Sequence, residues 1–355
     1  MIYSNLSRED LACWWALSTR CGPAAKLPFL LWKQSSGVWS AIDRAELNLA
    51  HTQILDALKP EKAKQDFLKL TTSLQEGVHI LAMDSPLYPK SLWDLKTPPL
   101  FLFVKGELDL LKSFGSAVVG TRQPDREALR LTHMVVQRKV VSSHTIISGG
   151  AIGIDTQVHQ SAIDEGGRTI AVLPSGIHAP SPRSNIALFR DVVDRGGAIV
   201  SEYSPFSTPR KFHFHRRNAL LAALSEELIV VRARKKSGTL ISAKAASDLG
   251  RPLFAIPGSP LDPLSEGPNF LIASGEARMF DFARAAKAPR LKARSSPLEG
   301  SEARVYKHLN LSKNVDELTS SIPDMSANEI LSALTLLEIG GYIEADKKRG
   351  GYRRT

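Results

Sequence analysis

Cysteine is almost absent from this chain of 355 residues, which contains only Cys13 and Cys21. Two cysteines cannot form a disulfide framework, and neither belongs to a Cys-x-x-Cys pair. Disulfide-stapled secreted proteins are therefore excluded, and we expect a reducing, cytoplasmic setting. No partnered Cys/His spacing predicts a metal site, so His213 and His215 are poor candidates for metal ligands.

Long apolar runs are missing too. No run reaches the roughly 18 residues that a membrane-spanning helix needs, so no membrane partner is expected. Residues 1–10 contain no basic segment followed by an apolar one, so no secretory signal is expected. Hydrophobic residues nevertheless make up 43% of the chain, as in globular proteins, and its length predicts two or three domains.

Acidic residues are fewer than basic ones, since 36 Asp and Glu accompany 46 Lys and Arg and the net charge is +10. The imbalance is concentrated between Pro205 and Gly250, which contain three acidic and nine basic residues. The nine are Arg210, Lys211, Arg216, Arg217, Arg232, Arg234, Lys235, Lys236 and Lys244. Such a basic segment predicts a polyanionic partner.

The common motifs of nucleotide-binding enzymes are absent. Neither Gly-x-Gly-x-x-Gly nor Gly-x-x-x-x-Gly-Lys-Ser/Thr occurs, and no acidic residue closes the predicted strand that ends at Leu173. No Ser/His/Asp set or pair of carboxylates stands out. We therefore expect a binding protein with no cofactor and no metal, not an enzyme. Asp155 is expected in the first turn of a helix, and Glu202 is expected to orient arginine side chains.

Residues 73–284 alternate apolar, β-branched runs with helical patterns. This predicts an α/β domain with a doubly wound, Rossmann-like parallel sheet and helices on both faces. Strands are predicted at 116–119, 145–147, 169–173, 198–200, 227–231 and 253–256, and one helix at 217–224 with a basic loop before it. In such a sheet, ligands bind outside the carboxyl ends of the strands.

Several of these strand ends carry residues suited to phosphate. Backbone N–H groups of a glycine turn, hydroxyls and guanidinium groups all bind anions. The candidates are Gly120, Thr121, Arg122, Ser148, Gly149, Gly150, Ser237, Gly238 and Thr239, with Lys211, Arg216, Arg217 and Asn218 as further polar groups and Phe214 as a base-stacking ring. Each triplet alone is often a plain turn. Their recurrence at successive strand ends favours an edge built for a single-stranded nucleic acid.

The flanking segments predict smaller units. Residues 1–72 are mainly helical and predict a domain of the SAM or helix-hairpin-helix kind, or a helical cap on the sheet, with most tryptophans in the core. Residues 285–300 predict a linker. Residues 301–355 predict three helices and a two-stranded wing, a winged-helix domain that contacts either DNA or protein.

A series of motifs in the centre of the chain resembles the DNA-processing protein A family (DprA/Smf). The motifs are 119–124, 148–155, 166–173, 201–203, 214–218, 237–243, 255–259 and 267–272, which cover about 78–280 in the family's order. The resemblance implies an extended Rossmann-like domain that binds single-stranded DNA, forms homodimers and helps to load the RecA recombinase during natural transformation.

The resemblance also implies roles for single residues. Arg122 would hold a phosphate with Ser148 and Gly149 beside it, Lys211 would contact the strand, and Phe214 would meet a base. Arg217 and Asn218 match the family's Arg-Asn pair, 237–239 match its second phosphate loop, and Asn185 also survives.

This chain departs from the family pattern at three places. Ile152 stands where Arg is frequent, Ala219 ends the Arg-Asn-Arg pattern, and the loop 174–182 lacks the usual aspartate and Tyr-Pro. Arg183 or Arg210 could replace the missing charge. Two alternatives stay open: a nucleotide phosphoribohydrolase on a related fold, and a duplex-specific regulator that acts through the winged helix.

Overall fold

The computed structural model describes residues 1–21, 26–34, 59–74, 76–113, 115–282, 300–309, 313–339, 343–346 and 351–354. The chain divides into two units, Met1–Ala286 and Lys287–Thr355. The predicted linker, 285–300, lies outside the described residues except at its last position. Trp39 also lies outside them. None of the helices in the described ranges is both long and apolar enough to cross a membrane.

The first unit is organised around one ten-stranded sheet. Its strands are β1 (Ile2–Tyr3), β2 (Val78–Ala82), β3 (Phe101–Gly106), β4 (Gly115–Val119), β5 (Thr145–Ser148), β6 (Thr169–Val172), β7 (Ala198–Ser201), β8 (Glu227–Val230), β9 (Leu253–Ala255) and β10 (Arg278–Met279). The order is β1-β2-β3-β7-β6-β5-β4-β8-β9-β10, and only β3 pairs antiparallel with its neighbours. The predicted α/β class with a large, mainly parallel sheet is confirmed.

The helices of this unit are α1 (Arg8–Cys21), α2 (Lys26–Gln34), α3 (Pro60–Ser73), α4 (Arg126–Val141), α5 (Ile154–Asp164), α6 (Ile186–Asp194), α7 (Lys211–Leu224), α8 (Gly238–Asp248) and α9 (Glu266–Ala273). Residues of β4 alternate between two cores: Ala117 and Val119 belong to one buried cluster and Val118 to another. Both faces of the parallel strands are thus covered, which explains their continuous apolar sequences.

The N-terminal residues share the main core. β1 pairs with β2, and the ring of Trp15 lies edge-on 5.6 Å from Phe101 and 5.7 Å from Phe103. Trp14 and Trp15 are buried, as predicted. The boundary at residue 72 and the SAM-like assignment stay predictions.

One helix begins earlier than its sequence pattern predicts. The basic loop expected before Arg217 is helical from Lys211 onward, and α7 is capped at Arg210, whose backbone N–H lies 3.3 Å from Nδ1 of His213. The basic side chains before Arg217 predict a loop, whereas the structure places this segment on the helix, where the contacts of His213 hold it. His213 is buried, stacks on Tyr203 at 3.8 Å and lies 3.0 Å from the Pro174 carbonyl.

The second unit contains α10 (Gly300–His308), α11 (Val315–Ser321), α12 (Ala327–Ile339), β11 (Ile343–Asp346) and β12 (Gly351–Arg354). The strands form an antiparallel pair. Val305, Leu318, Leu334 and Leu337 belong to its separate buried core. The order of elements is the predicted one.

Candidate nucleic-acid interface

The candidate site lies where the winding of the sheet reverses. From β4 the chain proceeds through β5, β6 and β7 on one side and through β8, β9 and β10 on the other. At such a switch point the loops of the two neighbouring strands separate and leave a crevice. A cavity of about 360 Å³ occupies it, and the predicted residues that line it are Gly120, Thr121, Arg122, Phe214, Arg217, Asn218, Ser237, Gly238 and Thr239.

The loop after β4 is held by its backbone. The N–H of Thr121 donates to the Arg232 carbonyl at 2.8 Å, and the Thr121 carbonyl accepts from the N–H of Ile154 at 3.0 Å. A Cβ on Gly120 would lie 2.6 Å from Cγ1 of Ile154, so only glycine allows this approach. These contacts hold the loop where it enters the cavity.

Arg122 extends from this loop with its side chain exposed. Its guanidinium lies 5.2 Å from the centroid of the Phe214 ring, which is cation–π range. Arg122 forms no ion pair with the described residues. It is therefore a cation ready to bind an anion beside an aromatic ring.

The N-terminus of α8 forms the opposite wall. Its N-cap residue, Ser237, makes no side-chain cap, and its Oγ is buried without a hydrogen-bond partner. A Cβ on Gly238 would meet no atom within 4 Å, so the space before this helix is open. The first N–H groups of a helix have no intrahelical acceptor and carry partial positive charge. This wall can bind an oxyanion.

Arg217 forms the floor and is already engaged. Its side chain is buried, Nη1 lies 4.0 Å from Oδ2 of Asp155, and the same nitrogen donates to the carbonyls of Gly149 and, at 3.2 Å, Val172. Burial raises the pKa of Asp155, and Arg217 opposes that rise. The expected place of Asp155 in the first turn of a helix is confirmed.

Arg216 points to the other side of α7. Nε donates to Oε2 of Glu202 at 2.9 Å, and Nη1 donates to Oγ1 of Thr97 at 2.7 Å. Glu202 is buried, and burial raises its pKa while Arg216 opposes the rise. Glu202 therefore orients an arginine, as predicted.

Four further predicted residues lie behind the cavity wall. Ser148 is buried and its Oγ donates to the Val118 carbonyl at 2.8 Å. Gly150 has φ +67°, and a Cβ there would lie 2.7 Å from the Phe189 ring. The buried Asn185 donates to the Gly150 carbonyl at 3.0 Å. With Gly149, these residues shape the loop after β5, and direct DNA contact by them stays a prediction.

The exposed basic residues are fewer than the sequence implies. Arg216, Arg217 and Arg232 are internal, and Arg232 is 2% exposed with Nε 3.6 Å from Oδ2 of Asp262. Lys211 is exposed at the start of α7 but does not line the cavity. Arg183 and Arg210, the suggested replacements for a missing charge, are exposed and do not line it either.

His215 lines the cavity, and sequence reasoning considered it only as a metal ligand. The signal that could have found it is helical spacing. Once α7 begins at Lys211, Phe214 and His215 lie one turn later on the same side, and Asn218 one turn after them.

Comparison with known proteins is consistent with this geometry. Residues 79–287 match the sequence model of a family described as DNA recombination-mediator protein A. The DNA processing protein DprA of Streptococcus pneumoniae is 42% identical over 188 residues, which are 53% of this chain and 66% of that protein, slightly less than two thirds of its length.

Two solved structures are also similar. The X-ray structure of S. pneumoniae DprA has a TM-score of 0.61 at 30% identity, covering 78% of this chain and 95% of that one. A DprA from Helicobacter pylori, whose structure concerns its single-stranded DNA binding mode, has a TM-score of 0.51 at 31% identity, covering 56% and 90%. The present chain belongs to the DNA recombination-mediator protein A family.

Proposed function

We propose that this protein binds single-stranded DNA, without sequence preference, in the cavity at the switch point. The observation that carries the proposal is the exposed Arg122, without an ion-pair partner among the described residues, beside the Phe214 ring and opposite the start of α8, which has no side-chain cap. A guanidinium and free helix N–H groups bind phosphate, and an aromatic ring between them stacks on a base. The binding mode named for the H. pylori relative supports this assignment.

Base sequence has little influence on such a site. The groups that we assign to the strand are backbone N–H groups, hydroxyls, the Arg122 guanidinium and the Phe214 ring, in a lining that also includes Asp155, His215, Arg217 and Asn218. Contacts of these kinds address phosphate and ring faces, which every nucleotide has. The buried Arg217–Asp155 pair is assigned to holding the floor of the cavity beneath the strand.

We propose further that the protein acts as a recombination mediator that loads RecA onto the bound strand, as a homodimer, during natural transformation. The family description and the DprA relatives support this role. We assign residues 1–72 to a SAM-like helical domain and 301–355 to a winged helix. In the latter, the segment 327–339 contains no Lys or Arg and exposes Leu331 and Leu336, which favours contact with protein over duplex DNA.

A nucleotide phosphoribohydrolase is the alternative. Such an enzyme would need a carboxylate in the first turn of α8, and this turn contains Leu240, Ile241 and Ser242. Asp155 lines the cavity but is paired with Arg217. An assay of base release from nucleoside monophosphates decides between the two, because turnover would favour the enzyme.

The decisive experiment compares Arg122→Ala with wild type in single-strand binding at several salt concentrations. Removal of one phosphate contact should lower affinity for all sequences alike and reduce the slope of log K against log salt by about 0.7. Arg130→Ala, an exposed arginine on α4 outside the cavity lining, is the matched control. Equal binding by Arg122→Ala and wild type at every salt concentration would refute the site.

The same binding assay tests the partner class. Labelled single strands are competed with unlabelled single strands or duplex of the same length, with the full chain and with a chain ending before residue 300. Preference for duplex, lost on truncation, would show that the terminal unit sets specificity and would contradict the proposal.

A further inference from the structure

Only part of the positive charge around the cavity is free to meet a strand. Arg216 is paired with Glu202, and Arg217 with Asp155. Of the residues that line the cavity, Arg122 is the only permanent cation without an ion-pair partner in the described structure. The arginines next to His215 in sequence therefore add no binding charge, and the electrostatics of the cavity depend on fewer groups.

His215 is placed to add to that charge. It lies on the same side of α7 as Lys211, Phe214 and Asn218. Phe214, His215 and Asn218 follow Lys211 by three, four and seven residues, the spacing of one helix face. Its side chain is exposed and lines the cavity that Arg122 enters. This position faces the proposed path of the strand.

The imidazole of His215 is also uncommitted. Among the described histidines, all the others have a hydrogen-bond, ion-pair or ring partner, as His213 does with Pro174 and Tyr203. His215 has none among the described residues. A histidine with an internal partner is part of the fold, whereas a free one beside a phosphate-binding cation can serve the ligand.

The charged groups that face His215 come from three elements. Arg122 belongs to the loop after β4, Asp155 to α5 and Arg217 to α7, and α8 contributes no charged side chain to the lining. Asp155 and Arg217 balance one another. His215 thus faces one net positive charge, and a bound phosphate would bring negative charge beside it.

We infer that His215 contacts the DNA backbone and makes single-strand binding stronger at mildly acidic pH, an inference that rests on the proposed function. An imidazole gains and loses its proton near neutral pH, and the charged form donates from both ring nitrogens. Protonated His215 neutralises one more phosphate. Neutral His215 leaves Arg122 as the permanent cation of the described lining that has no ion-pair partner.

Linkage sets the size of the effect. If a bound phosphate stabilises the protonated imidazole by about one pKa unit, binding becomes about tenfold tighter at low pH than at high pH. The additional contact should also steepen the dependence of log K on log salt by about 0.7. These two changes should appear together.

The test measures the affinity of the full chain for a fluorescent thymidine homopolymer at about pH 5.5 and about pH 8.0, at several salt concentrations. Wild type should bind about tenfold tighter at the lower pH. His215→Gln should remove most of this difference, and His215→Arg should bind tightly at both pH values because its charge is permanent. His133→Gln, on α4 outside the cavity lining, is the control and should behave as wild type.

The outcomes separate this inference from the proposed function. If His215→Gln keeps the full pH dependence of wild type, the inference is wrong although single-strand binding stands. If wild type binds no strand at either pH, the proposed function fails and the inference fails with it. Loss of pH dependence in His215→Gln, together with tight binding at both pH values in His215→Arg, supports both.

Discussion

The two edges of the main sheet differ in whether a charged side chain is left without a partner among the described residues. At the carboxyl edge, Arg122 and the start of α8 face an open cavity without a charged partner. At the amino edge, Lys139 pairs with Glu227, and Oγ of Ser116 lies 2.6 Å from Oε1 of Glu227 and 2.5 Å from Nδ1 of His144. On the proposed function, charged residues near a sheet end can serve binding only where the fold leaves them without a partner.

Arg217 gives the largest expected effect, because it tests whether buried charge at the carboxyl edge is structural. Arg217→Met should destabilise the protein by about 3–5 kcal/mol, since the Asp155 carboxylate would lose its buried partner. Thermal unfolding monitored by circular dichroism measures this loss of stability. Arg122→Ala, an exposed change, should alter stability by no more than about 0.5 kcal/mol. Equal stability of the two variants would contradict the distinction between buried, paired charge and exposed charge at this edge.

His144 at the amino edge should affect acid stability and not DNA binding. Burial lowers its pKa to about 4, with Lys139 adding to the shift and Glu227 opposing it. The unfolded chain therefore binds a proton that the folded chain does not bind, and stability falls as pH drops from about 6.5 to about 4.

His144→Gln should reduce this acid destabilisation and leave the affinity for single strands at neutral pH unchanged. Denaturant unfolding at several pH values checks the first expectation, and the wild-type binding assay checks the second. A loss of DNA affinity would show that the two edges are coupled.

Gly120→Ala should destabilise the loop after β4 at the carboxyl edge, because the added Cβ overpacks it. The new Cβ would lie 2.6 Å from Ile154, and overpacking of this kind costs about 1–3 kcal/mol. Because the loop carries Arg122, affinity for single strands should fall as well. Combining the change with Ile154→Ala, which makes room, should restore part of the affinity. If Gly120→Ala binds as wild type does, the loop is less tightly held than its contacts imply.

Phe214→Leu should have the smallest effect. Leucine keeps apolar bulk but removes the ring face, so about 1 kcal/mol of stacking is lost and affinity falls about fivefold. Phe214→Tyr keeps the ring and should bind as wild type. Titration with a fluorescent single strand measures both variants. Binding by Phe214→Leu as tight as that of wild type would show that the ring does not stack on a base.

Much of the sheet could be predicted from the sequence. Continuous β-branched runs such as Thr145–Ile147 occur where a strand is buried on both faces, and Gly120 and Gly149 directly follow β4 and β5. The Gly120–Arg122 and Ser237–Thr239 turns were therefore predicted at the correct edge, and the structure brings both to one cavity. The order of the strands and the antiparallel position of β3 need long-range pairing, which no local pattern contains.

The role of each basic residue was less predictable. Arg216 and Arg217 are adjacent and chemically identical, yet successive residues on a helix point about 100° apart, and each meets a different buried carboxylate. The sequence pattern predicts the start of α7 too late because residues 211–216 are all basic or aromatic, and the contacts of His213 that hold this segment come from distant loops. His215 was missed for the same reason.

The sequence alone determined the α/β class, the carboxyl-edge location of the glycine-containing turns and the family, since these depend on local periodicity and on residue types at fixed spacing. Only the tertiary structure decided which cations are free. Burial and pairing depend on distances between segments far apart in the chain, such as Arg217 to Asp155 and Arg216 to Glu202. A charge with a buried partner is part of the fold, whereas Arg122, which has no ion-pair partner among the described residues, is the one that we propose for the ligand.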